Sequence, residues 1–177
     1  MAIVALLAAS GGYFLARLLG TNEGVAPGVA ELQTGNDLLG MRRPDFTLDS
    51  VNGEKVSASD FDGQVWLVNF WATWCKPCVD EMPMLSQVQS DFAGQGVTVV
   101  GIALDDAERA RQFASDLSIQ YPILVGQADV VLTGRNYGNS SGMLPFSVLV
   151  DAEGVVRWSH LGALDQDELL QQITRLK

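Results

Sequence analysis

From Asp45 to the C-terminus the apolar positions change period several times, and each change marks an element. "DFTLDS" and "EKVSAS" alternate apolar and polar residues around "VNG", whose Asn-Gly pair favours a tight turn, so together they predict a short β-hairpin. "VWLVNFW" (Val65–Trp71) carries no charge and is rich in β-branched and aromatic residues, the pattern of a strand covered on both faces. From Cys78 to Ala93, Met82, Leu85, Val88, Gln89 and Phe92 recur at helical spacing, and Gly94 follows as a stop. Pro83 within this stretch predicts a kink. "VTVVGIAL" (Val97–Leu104) repeats the buried-strand pattern, and "DDAERARQFASDL" predicts a helix with acidic residues at its positive end. "YPILVG", a helical stretch near Ala128–Tyr137 and the loop "GNSSGM" come next. "PFSVLVD" and "VVRWSH" flank the turn "AEG" as a second hairpin. Asp165 caps a closing helix through Leu176, with Leu169, Leu170 and Ile173 facing inward. The order is β-hairpin, βαβ, helix, β-hairpin, helix, which predicts an α/β sandwich around a mixed sheet.

Ahead of this pattern lies "AIVALLAASGGYFLARLL" (Ala2–Leu19), near the lower length limit of a membrane-spanning helix. Ser10, Gly11 and Gly12 interrupt it, and Arg17 sits close enough to one end to snorkel toward head groups. Residues 1–20 therefore read as a transmembrane anchor or signal segment, 21–42 as a flexible linker rich in Gly, Asn, Thr and acidic residues, and 43–177 as the folded domain. A cleaved signal, with "AAS" or "GVA" as the small-residue site, and a buried core helix are the alternatives. The absent basic n-region and the length of the apolar run argue against the cleaved signal. No Lys or Arg precedes the segment while Arg17, Arg42 and Arg43 follow it, a charge order that by itself disfavours placing the domain outside the cytoplasm. Both cysteines and the whole strand–helix pattern lie beyond the linker, so the domain's core needs no contact with Ala2–Leu19.

A chain of 177 residues with 47% hydrophobic content supplies one packed domain and an appendage. The formal charge of −10 and the lack of a Lys/Arg cluster exclude a nucleic-acid interface, which must neutralise phosphates. The acidity reads as a solvated surface and names no substrate.

The only two cysteines stand in "NFWATWCKPCVDEMP", residues 69–83. They are too few for a disulfide framework, and with the single histidine, His160, they offer at most three Cys/His ligands where structural zinc takes four. No metal or other cofactor is implied. A disulfide closing so small a loop constrains the unfolded chain little, which leaves redox chemistry. A dithiol reagent needs an exposed, partly ionised attacking thiol and a second thiol to resolve the mixed disulfide. A strand ending at Trp71 and a helix beginning around Pro77 place Cys75 at the helix N-terminus, where unpaired N–H groups and the charge of Lys76 favour a thiolate. Cys78, one turn on, is expected to be more buried, and Pro77 fits the first helical turn.

"VNFWATWCKPC", "MLPFSVLVDAEG" and "LGALDQDELLQQI" resemble the thioredoxin superfamily. "WCKPCVDEMP" and "RRPDFTLDSVNGEKVSASDFDGQVWLVNFW" are similar to its membrane-anchored TlpA/ResA/CcmG branch, and the likeness runs from about Arg43 to Lys177. It implies a thioredoxin fold, a mixed central sheet flanked by helices, with an N-terminal β-hairpin extension and an N-terminal membrane anchor. It also implies a monomeric thiol–disulfide oxidoreductase facing the periplasm or cell exterior, often serving c-type cytochrome maturation. Its partners are then disulfide-bearing proteins and a membrane electron donor that reduces Cys75–Cys78. By the same resemblance Pro145 is the cis-proline facing the disulfide, and Trp74, Pro77 and Leu144 join it as substrate contacts. Glu81 matches an acid placed beside the dithiol; if desolvated, it would have a raised pKa and could shuttle the proton of Cys78. A solvated helix-surface Glu81 and a Trp74 that only packs are the plainer alternatives. Asn69 departs from cytoplasmic-type thioredoxins, which carry a buried Asp there; an amide exchanges no proton. The pair "KP" between the cysteines is closer to the thioredoxin "GP" than to the histidine-containing pair of strong oxidants, which favours a reductant. Two other functions compete. The opening of the domain also resembles peroxiredoxins, but Thr73 stands two residues before Cys75 and no Pro completes a Pro-x-x-x-Thr-x-x-Cys motif. A non-catalytic chaperone or assembly partner would use the groove near Pro145 for binding alone.

Overall fold

Residues 38–177 are described in the computed structural model of this chain; Ala2–Leu19 and the linker before Leu38 lie outside them. The strands are β1 (Thr47–Ser50), β2 (Lys55–Ser57), β3 (Val65–Trp71), β4 (Val97–Leu104), β5 (Ile123–Gly126), β6 (Phe146–Val150) and β7 (Val156–Leu161). The helices are α1 (Lys76–Asp91), α2 (Ala107–Asp116), α3 (Ala128–Asn136) and α4 (Gln166–Arg175). All of these strands join one mixed sheet in the order β2-β1-β5-β4-β3-β6-β7. β3, β4 and β5 run parallel, and the outer pairs are antiparallel.

The uncharged run of β3 is explained by its place between two layers. Every residue of β3 is buried. Val65, Leu67 and Trp71 pack with Met82, Leu85 and Val88 of α1 and with Leu169 and Ile173 of α4. Trp66, Val68 and Phe70 point the other way, to Phe46, Phe61, Tyr137 and Val130 of α3. This period-two division supplies each layer with its own apolar core.

Three elements depart from the sequence expectation. "YPILVG" contributes β5, a strand between β1 and β4 that the expected βαβ order omits. Its four residues are too short a run to declare a period. The second hairpin strand ends at Ser57, and Ala58–Phe61 form a 3-10 turn started by Asp60, which accepts from the Ser57 N–H at 2.8 Å. α1 begins at Lys76 and ends at Asp91, ahead of both expected limits, and keeps Pro83 within it. Gln89 faces inward as a polar tie, its Oε1 accepting from the Val99 N–H of β4 at 2.7 Å. Asp165 caps α4 as expected, accepting from the Glu168 N–H at 2.9 Å.

The chain enters the domain as a strap across the β6–β7 turn. Gly40 N–H donates to Val156 O, Val156 N–H to Met41 O and Arg43 N–H to Gly154 O, all within 2.9 Å. Arg43 then buries its guanidinium. Nε and Nη2 donate to Asp62 Oδ1 at 3.1 and 2.7 Å, Nη1 donates to Asp45 Oδ1 at 2.5 Å, and the cation lies 5.9 Å from the Trp66 ring centroid. A buried guanidinium is tolerated because its donors are taken up and an aromatic face covers it. Arg43→Ala is therefore expected to lower stability to urea by about 2 kcal/mol, since Asp62 loses a fork of charged donors. Lys55→Ala, which removes an exposed ion pair with Asp49, is expected to cost under about 0.5 kcal/mol. Equal effects of the two substitutions would count against the strap as an anchor.

Candidate active site

β3 ends at Trp71, and the chain crosses to α1 through Ala72, Thr73 and Trp74. Asp105, buried at the end of β4, fixes this crossing by accepting from Thr73 N–H at 3.1 Å and from Thr73 Oγ1 at 2.5 Å. Asp106, beside it, is the acid that caps α2, accepting from the Arg109 N–H. Cys75 occupies the N-cap position of α1 in extended conformation, with Pro77 in the first turn. Cys75 and Cys78 lie one turn apart and form a disulfide with a Cα–Cα distance of 5.3 Å, a separation that two cysteines bridge without backbone movement.

Two expectations about the dithiol need correction. Cys75 is only marginally open, 6% exposed against 0% for Cys78, because both sit in the apolar layer with Trp71, Ala72 and Met82. Access to Cys75 is thus narrow, and the large exposed side chain beside it is Trp74, at 66%. Lys76 does not lend a free charge to Cys75; its ammonium pairs with Asp80 at 2.8 Å in an exposed i,i+4 bridge. The helix N-terminus remains as the local feature favouring a thiolate when the disulfide is reduced.

Glu81 follows Cys78 by three residues and is 5% exposed, so it is not the solvated surface acid of the plainer reading. Its carboxyl accepts from Asn69 Nδ2 at Oε1 and from the Leu164 N–H at Oε2, both at 2.8 Å. Asn69 Nδ2 also donates to Ser147 Oγ at 3.0 Å across the β3–β6 pair. Burial pushes the Glu81 pKa up, opposed by the two donors and by the nearby His160. Asn69, which exchanges no proton itself, is the group that holds the one that can. Its Oδ1 is buried without a protein hydrogen-bond partner, as are Trp71 Nε1 and Tyr121 Oη among the described residues. Glu81 also lines a cleft of about 280 Å³ with Pro77, Asp80, Met84, Ala163, Leu164 and Gln166. A larger cleft of about 710 Å³, between the β1–β2 hairpin and the α2–β5 connection, shares none of these residues.

Pro145 is buried at the start of β6, and its peptide bond with Leu144 is cis. Phe146 pairs with Phe70, so Pro145 lies at the end of β3 from which the chain crosses to the dithiol. Leu144 is half-buried and packs with the layer that holds both cysteines. Met143 before it is 56% exposed, its carbonyl accepting from Asn139 Nδ2 at 2.9 Å. The Pro145 carbonyl accepts from the Gly162 N–H at 2.9 Å. One end of the sheet therefore gathers Trp74, Cys75, Pro77, Cys78, Leu144 and Pro145. Ser147, Asp105 and Leu164 are the supporting residues that motif reading passed over, and Asn69 was noted there only as a departure. Asn69 and Ser147 carried a signal, each being the polar interruption of an otherwise apolar strand.

The Glu81 carboxyl gives stability a pH slope of known sign. Because its folded pKa lies above the ordinary 4.5, the stability it contributes is fully present below that value. That contribution is lost as pH rises through the raised folded pKa. Glu81→Gln removes the titration, so the difference in urea-unfolding free energy between wild type and variant is expected to change as pH rises above 4.5. A difference independent of pH would place the carboxyl in water.

Residues 39–159 match the AhpC/TSA family. The thioredoxin-like protein YneN of Bacillus subtilis is 34% identical over 138 residues, which cover 76% of this chain and 78% of that protein. The thiol-disulfide oxidoreductase ResA of Geobacillus kaustophilus is 29% identical over 140 residues, with 78% of each chain covered. Among solved structures, a thiol:disulfide interchange protein of the thioredoxin family from Chlorobium tepidum is 28% identical with a TM-score of 0.68, covering 76% of this chain and 94% of its own. With its mixed sheet and a Cys-x-x-Cys at the head of α1, this chain belongs to the AhpC/TSA family and has the thioredoxin-like fold.

Proposed function

We propose that the protein is a thiol–disulfide oxidoreductase that reduces disulfides of other proteins outside the cytoplasm. The observation that carries this reading is a bridged cysteine pair at a helix N-terminus, flanked by exposed Trp74 and by the Leu144–Pro145 segment. In the reduced protein the Cys75 thiolate attacks a substrate disulfide and displaces one substrate sulfur as a thiolate. Cys78 then attacks Cys75 Sγ, releases the second substrate sulfur and closes the Cys75–Cys78 disulfide, so two electrons pass to the substrate. Glu81 receives the proton of Cys78 as that thiol ionises, and the two departing substrate thiolates take up that proton and the one Cys75 gave to solvent when it ionised. Trp74, Pro77, Leu144 and Pro145 form the surface on which the substrate chain lies.

ResA relatives are named thiol-disulfide oxidoreductases, and similar solved structures include a secreted thiol-disulfide isomerase of Corynebacterium glutamicum. On this reading Ala2–Leu19 anchors the chain, the domain faces the periplasm or cell exterior as a monomer, and a membrane electron donor reduces the disulfide again. Likeness to the TlpA/ResA/CcmG branch points further to substrates in c-type cytochrome maturation. Among the described residues no helix is long and apolar enough to cross a membrane. The peroxidase alternative is disfavoured because the Thr73 hydroxyl donates to Asp105 and the peroxidatic spacing is absent. The chaperone alternative leaves the paired cysteines without a use.

Cys75→Ser is expected to abolish reduction of insulin disulfides, whereas Cys78→Ser should accumulate mixed disulfides with partners, recovered from the membrane fraction of cells making the full chain. Trapping by the Cys75 variant would reverse the roles, and recovery from the cytosol would remove the anchor. Direction is tested separately. Equilibration with glutathione should return a potential nearer the roughly −270 mV of thioredoxin than the roughly −120 mV of a strong oxidant, and a value above about −180 mV would refute a reductant.

A further inference from the structure

The short turn Leu161–Leu164, between β7 and α4, is bonded to both halves of the site. Its Gly162 N–H donates to Pro145 O at 2.9 Å, and its Leu164 N–H donates to Glu81 Oε2 at 2.8 Å. The proline beside which substrate would lie and the buried carboxyl are thus tied to one segment two residues apart. Leu161 and Ala163 are exposed, and Gly162 has φ +108°, a conformation open to glycine and rarely to other residues.

His160 closes the segment. Its Nε2 lies 3.2 Å from Ala163 O, and since a carbonyl only accepts, that nitrogen carries the proton. The ring stacks on Trp158 at 5.5 Å with 18° between planes, which fixes its orientation. A Cβ placed on Gly162 would stand 3.9 Å from Nε2, so the imidazole borders the inside of the turn. Across the β6–β7 pair His160 faces Ser147, whose hydroxyl accepts from the same Asn69 amide that donates to Glu81.

We propose that His160 is a positioning residue of the dithiol site: it latches the Leu161–Leu164 turn and thereby holds Pro145 and the Glu81 carboxyl in fixed relation. The catalytic consequence rests on the oxidoreductase reading, while the latch itself does not. If the turn moves away, Glu81 loses one of its two donors and retains its proton to higher pH. The titratable groups facing Glu81 are His160 from β7, Tyr121 from the approach to β5, and the cysteines of its own helix when reduced. Asp80 shares its cleft but is paired with Lys76, and Asn69 and Ser147 are neutral. A protonated His160 would itself favour ionised Glu81, so charge must be separated from latching.

The full-length protein is compared with His160→Ala and His160→Gln, the latter keeping an N–H donor and no charge. In the oxidised state, amide hydrogen exchange at Gly162 and Leu164 is expected to quicken roughly fivefold in the Ala variant, the effect of about one lost hydrogen bond. It should stay within about twofold of wild type in the Gln variant. The pH midpoint of insulin reduction should rise by about half a unit with Ala and hold with Gln. Unchanged amide exchange in the Ala variant would overturn the latch, as would equal behaviour of the two variants, which would assign the effect to charge. A wild type unable to reduce insulin would sink the oxidoreductase reading, with the amide exchange still deciding the latch.

Discussion

A carboxyl group withdrawn from water must find donors within the protein, and in this domain the donors come from distant parts of the chain. Glu81 lies on α1, Asn69 on β3 and Leu164 on the turn before α4, and the three meet at 2.8 Å. Keeping them together requires α1 to be seated on the sheet and the C-terminal helix to begin where it does. The unfavourable burial is offset only when both oxygens are occupied, so the arrangement holds as a unit. The same seating places Cys78 at the bottom of the apolar layer and Cys75 at its edge.

The opposite face of the sheet meets that demand only at its edge, where Asp62 and Asp45 take up the Arg43 guanidinium, and is otherwise built differently. Phe46, Phe61, Trp66, Phe70, Tyr137 and Phe146 make a chain of ring contacts 5.0–6.2 Å apart. The Tyr137 hydroxyl donates to Pro44 O, closing this layer over the entering chain. One face therefore carries the chemistry, with Asn69 Oδ1, Trp71 Nε1 and Tyr121 Oη unsatisfied in its layer, and the other, where Trp66 Nε1 is unsatisfied, supplies rigidity through aromatic packing.

How much of this could be read beforehand depended on whether a residue's environment is encoded locally. β3 and β4 were legible from their uninterrupted apolar runs, since only double-sided burial tolerates them. β5 was not, because four residues carry no period and its membership in the sheet is decided by β1 and β4. The cysteine pair and Pro145 were legible through their motifs. The burial of Glu81 was not, as a helix position three residues after Cys78 faces the sheet or the solvent according to what packs over it, here the turn from Gly162 to Leu164. Lys76 illustrates the same limit: its nearness to Cys75 in sequence is real, but Asp80, one turn further on, takes its charge. Asn69 looked like a lost proton carrier in isolation, and its meaning appears only with Glu81 across from it.

The strap of residues 40–43 settles a matter of access. It pairs with Val155 and Val156, beside the end of β6 that lies next to Trp66 at the start of β3, whereas the dithiol follows the far end of β3. Seven residues of strand separate the two, about 20 Å. The chain is thus gripped at one pole and reacts at the other. A bulky protein can approach Cys75 without displacing residues 40–43, whose pairing lies at the opposite pole.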